Sequence, residues 1–64
     1  MPDFCIIDSG SLVGFTPLND NARQWMNDNV ESESWQWLGR SLQVDHRMAQ
    51  GLVDLIEEEG FTYG

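Results

Sequence analysis

Cys5 and His46 are the only cysteine and the only histidine among the 64 residues, so thiol and imidazole chemistry must start from them. A metal site needs three or four converging ligands, and His46 has neither a second His nor a second Cys to join it. It follows Asp45 at a helix start, the position of an exposed first-turn residue. Cys5 lies in the apolar run Phe4-Cys5-Ile6-Ile7, with no base beside it and no electropositive setting to activate a thiol. There it reads as a small buried hydrophobe of a protein from a reducing compartment. Gly10-Ser11-Leu12-Val13-Gly14 carries two glycines but lacks the lysine and following helix of a phosphate-binding loop. Asp28, Glu31 and Glu33 miss the alternating ligand pattern and central glycine of a calcium loop. Paired carboxylates perform acid–base catalysis only in a concave site, and a domain this small has little volume from which to carve one. These residues point away from an enzyme and away from a bound metal or cofactor.

Charge is the more informative feature. Eleven carboxylates face three arginines and no lysine, a formal charge of −8, or one excess negative charge for every eight residues. Such an imbalance repels phosphate backbones and anionic lipid, so direct binding to nucleic acid or membrane is disfavoured. The surplus either keeps a small protein soluble or presents a surface to a basic partner. Its placement along the chain bears on both uses. Glu57, Glu58 and Glu59 fall in the last turn of a helix, at the negative end of its dipole, where each anion costs about 0.3–1 kcal/mol. Being adjacent, they fan around the helix and form a surface, not a converging site. With Asp54 one turn earlier they make a carboxylate ridge that imitates, coarsely, the phosphates of a nucleic-acid strand. Asp28, Glu31 and Glu33, together with Asp20, extend the patch if the helices that carry them are neighbours. Trp35 and Trp37 share one parity across Gln36, so one is expected to pack over the core while the other serves as an interface anchor.

The elements that position these groups are legible from pattern. Residues 4–7 and 11–16 flank the turn residues Asp8, Ser9 and Gly10 and read as a β-hairpin that Pro17 ends. Asn19 caps a helix over about residues 20–29, whose apolar positions are Leu18, Ala22, Trp25, Met26 and Val30. A polar connector follows. Leu42 and Val44 then alternate with polar neighbours as in a half-buried strand, and Gly39 marks a bulge or kink. Asp45 caps a second helix with the apolar stripe Met48, Ala49, Leu52, Leu55 and Ile56, which Gly60 stops. Phe61-Thr62-Tyr63 returns as a short edge strand. The pattern is a single small α+β domain, ββαβα(β), with a three- or four-stranded, mostly antiparallel sheet and two helices on one face. No charged n-region leads into an apolar stretch, and no apolar run approaches the ~20 residues that span a bilayer. A cytoplasmic protein is expected, monomeric or weakly homodimeric.

The text Val13-Gly14-Phe15-Thr16-Pro17-Leu18-Asn19-Asp20-Asn21-Ala22-Arg23-Gln24-Trp25, followed by Trp35-Gln36-Trp37-Leu38-Gly39 and Val44-Asp45-His46-Arg47-Met48, resembles small acidic proteins of bacterial mobile elements and prophages. Among these, the anti-CRISPR inhibitors are similar in size, acidity and lack of catalytic residues. The likeness covers most of the chain, through fold motifs rather than chemical ones. It implies a DNA-mimic inhibitor of a CRISPR effector complex in the cytoplasm of a bacterial host. No residue role is carried over from it. The alternative expectation is a structural or adaptor protein that binds through an apolar, Trp-containing surface or as a homodimer.

Overall fold

The Asp8 side chain accepts a hydrogen bond from the Gly10 amide at 2.9 Å, and Gly10 adopts φ +95°, so the chain reverses where the sequence places its turn residues. The computed structural model describes residues 1–32 and 36–64. The turn joins β1 (Phe4–Asp8) to β2 (Leu12–Pro17), paired antiparallel from Phe4↔Pro17 to Asp8↔Val13. α1 (Asp20–Asn29) follows, and the Asn19 side chain caps it by accepting from the Ala22 amide at 2.8 Å.

Beyond the polar connector the expected single strand is two. β3 (Trp37–Leu38) and β4 (Ser41–Asp45) form an antiparallel hairpin with Trp37 opposite Leu42. Gly39, at φ +63°, is the turn residue that allows it, so it neither bulges nor kinks a continuous strand. β4 also pairs with β2, and the sheet order is β1-β2-β4-β3. α2 (His46–Glu58) starts directly from β4, capped by Asp45, which accepts from the Met48 amide at 2.8 Å.

Register assigns the two sheet faces. Phe4, Val13, Phe15, Leu42 and Val44 share one face and are buried with Ala22 and Met26 of α1 and Ala49, Leu52 and Ile56 of α2. Both helices therefore cover the same face, as the pattern implied. Cys5, Ile7, Leu12, Gly14, Thr16, Leu38, Ser41 and Gln43 lie on the other, which no helix covers. Cys5 is consequently only half-buried. Gly14 is flat against Gln43, whose Nε2 would lie 2.9 Å from a Cβ at that position.

The C-terminal residues close the domain. Gly60, at φ +86°, donates to the Glu57 carbonyl and Phe61 to the Ile56 carbonyl, the paired bonds of a Schellman stop. The chain then runs parallel to β1, with a bridge between Phe4 and Tyr63 and hydrogen bonds from Phe4 to Thr62 and between Ile6, Gly64 and Phe4. Phe61 meets Phe4 and Trp25 edge-on, each at 5.5 Å between centroids, and Phe4 meets Trp25 at 6.1 Å. This aromatic trio fastens β1, α1 and the C-terminal segment to one another. No helix among the described residues is long and apolar enough to cross a membrane.

Candidate functional site

The carboxylates divide by what they hold. Asp45 caps α2 and Asp8 closes the β1–β2 turn, so both are committed to the backbone. Asp3 is a node between the two ends of the chain. Its Oδ2 accepts from the Thr62 amide at 3.0 Å and its Oδ1 from the Asn19 side-chain amide at 2.7 Å. These bonds, the Thr62 amide first, hold the Asp3 carboxyl below its ordinary pKa because they favour the charged form. His46 is exposed in the first turn of α2, where its Nε2 donates to the Gly10 carbonyl and lies 3.6 Å from Asp8 Oδ1. It ties the hairpin turn to the helix start. Among the described residues, no group of three or more His, Cys, Asp and Glu side chains is arranged to hold a metal ion.

The acids of the predicted ridge are all exposed. At ~100° per residue Asp54 lies between Glu57 and Glu58, the three spanning an arc of ~100°, while Glu59 sits off that arc at the helix cap. No basic residue occupies the last turn of α2 to balance the dipole. Glu57 is not a free charge, because its Oε1 accepts from the Tyr63 hydroxyl at 2.5 Å. That bond, with the charges of Glu57 and Asp54, raises the Tyr63 pKa above its ordinary value. Asp20, Glu31, Asp54, Glu58 and Glu59 accept no hydrogen bond through their side chains among the described residues.

Asp28 lies on the solvent side of α1, where both its oxygens accept from Gln24 Nε2 at 3.2 Å. Glu31, just past the end of α1, borders a polar recess with Asp28, Asn29 and Ser32. It also reaches α2, because an open groove runs between Val30 and Glu31 on one side and Arg47, Met48, Gly51, Leu52 and Leu55 on the other. Glu31 thus lines both the recess it shares with Asp28 and the groove beside α2, whereas Asp28 lines only the recess. Glu33 and Trp35, the remaining expected contacts, lie outside the described residues. Trp37 packs partly buried against the core, and its Nε1 donates to Ser32 Oγ at 3.0 Å.

Two features were missed in the sequence reading. The five-residue stripe of α2 splits, for Ala49, Leu52 and Ile56 are buried while Met48 is 44% and Leu55 45% exposed. Gly51 between them was the available signal, a poor helix former inside an otherwise well-patterned helix. Tyr63, read only as edge strand, is also the hydrogen-bond partner of the ridge. Comparison with protein-family models, with curated proteins and with solved structures finds no match to this chain.

Proposed function

We propose that this chain is an acidic, non-enzymatic inhibitor that occupies the nucleic-acid-binding surface of a basic partner protein, with its helix-layer carboxylates standing in for DNA phosphates. The observation that carries the reading is the charge density of the exposed end of α2. Asp54, Glu57, Glu58 and Glu59 place four carboxylates along ~7.5 Å of helix axis, about one per 2 Å. Duplex DNA carries one phosphate charge per ~1.7 Å of its axis, so a surface built to bind that density meets a similar one here. Glu31 adds a further charge in the groove beside α2.

The mechanism is competition. Partner Arg and Lys side chains that would neutralise phosphates form charge-assisted hydrogen bonds to Asp54, Glu58 and Glu59, giving fast, salt-sensitive association. The resemblance to anti-CRISPR proteins makes the partner a CRISPR effector complex, blocked at the surface that reads target DNA, in the cytoplasm of a bacterial host. Target-DNA binding by such a complex, titrated with this protein at rising salt, tests the reading. Loss of DNA binding, restored when Glu58 and Glu59 are both replaced by lysine, is expected. DNA binding that persists at saturating protein refutes it.

The uncovered sheet face favours a second reading, an adaptor or weak homodimer with an apolar contact. Ile7 is 56% exposed there beside half-buried Cys5 on β1, and Leu38 is 74% exposed at the opposite edge of the sheet. Association through that face would resist salt, whereas phosphate mimicry would not. Sedimentation of the isolated protein at low and high salt separates the two.

A further inference from the structure

The groove between the end of α1 and α2 has a volume of about 340 Å³, with Val30, Met48, Leu52 and Leu55 as its apolar wall and Gly51 as a notch in it. Gly51 has no role in folding that its surroundings reveal. Its φ is not positive, and a Cβ built there meets no atom within 4 Å. A helix interior favours alanine over glycine, so the helix carries a propensity penalty with no packing return inside the protein. What glycine does provide is access. Met48 and Leu55 stand two turns apart on either side of it, both about half exposed, leaving room for one inserted side chain.

The groove itself is lined by one acid, Glu31, and one base, Arg47, and two further acids of α2 stand near it. Glu31 borders it from α1, and on α2 Asp54 is three residues beyond Gly51 and Glu58 three beyond Leu55, neighbours on the helix surface. Arg47 marks the opposite end. We infer that this groove receives a basic amphipathic helix of the partner, its apolar residue seated over Gly51 and its Lys or Arg side chains on Glu31, Asp54 and Glu58. The absence of a side chain at Gly51 lets the two helix backbones approach closely. The helix dipole fixes direction, with the positive N-terminal end of the partner helix toward Glu58 and its negative C-terminal end toward Arg47. Helices bearing basic residues are a common means of reading the DNA major groove, so the inference rests on the phosphate-mimic reading and specifies the element that the acidic layer grips.

The test uses the isotopically labelled protein and three probes: a synthetic helix of about four turns with leucines on one face and lysines elsewhere, a peptide of the same composition with its leucines scattered around the helix, and oligolysine. Saturable binding of the first peptide should shift the methyl signals of Val30, Met48, Leu52 and Leu55, with the scattered peptide weaker by roughly tenfold. Gly51→Leu, which fills the notch, should weaken the first peptide by a similar factor and leave oligolysine binding unchanged. Met48→Gln is the second variant if Gly51→Leu does not fold, with the same expectation. Equal affinity for both peptides, or shifts confined to the carboxylates, overturns the groove inference while the acidic-surface reading stands. Failure of oligolysine to bind as well overturns both.

Discussion

The Tyr63 hydroxyl donates to Glu57 Oε1 at 2.5 Å, joining the C-terminal segment to the acidic end of α2. The bond and the neighbouring charges raise the Tyr63 pKa. A raised folded-state pKa means that the interaction contributes fully below the unfolded value near 10.0 and is lost as pH rises through the folded value. Thermal melts of the parent protein should therefore show a loss of stability in this alkaline window. Tyr63→Phe should be less stable at neutral pH and lack that alkaline component. Parallel pH profiles for the two proteins would contradict the assignment.

Asp3 carries the opposite sign. Its pKa is lowered from the ordinary 3.8 by the Thr62 amide first and the Asn19 side chain next. The contribution is present above the unfolded pKa and disappears as pH falls through the folded one. Asp3→Asn should lower the melting temperature at neutral pH, and the gap from the parent should close in strong acid. A gap that is constant across that range would show that the lost charge is not the cause.

Gly51→Ala should raise unfolding stability by about 1 kcal/mol, because alanine is the better helix former and its methyl group meets nothing. Urea denaturation with an unchanged slope checks this. A destabilised variant would mean that Gly51 has a packing role after all.

Phe4 is fully buried and touches both Phe61 and Trp25, so truncating it removes the contact on which three segments depend. Phe4→Ala should cost about 3–5 kcal/mol, enough to unfold a domain of this size at ordinary temperature. Far-ultraviolet circular dichroism would register the loss.

Replacing Glu58 and Glu59 with lysine should leave the fold intact and slightly stabilise it, because cations suit the C-terminal end of a helix. Glu57 is the wrong position for this experiment, since its exchange also breaks the Tyr63 bond. If the double variant melts well below the parent, the acids at that helix end contribute to the fold in a way their dipole position does not predict.

The sequence by itself determined the elements. Asn19, Asp45 and Gly60 act locally, through side-chain caps and a positive φ, so both helices start and α2 stops where these residues stand. The alternation of Leu42 and Val44 and the apolar residues of β1 and β2 likewise put the buried sheet face on view, because strand parity is a local property. Tertiary structure alone decided what depends on distant partners. Gly39 became a hairpin turn because β3 could pair with β4, and Cys5 stayed half-buried because both helices went to the other face. The acids of Asp3, Glu57 and Glu58 look alike in the chain. Only the returning C-terminal segment, which brings Thr62 to Asp3 and Tyr63 to Glu57, divides carboxylates that hold the fold from those left facing solvent. Met48 and Leu55 fit the core stripe by spacing, yet both stay about half exposed and line an open groove beside Val30 and Glu31.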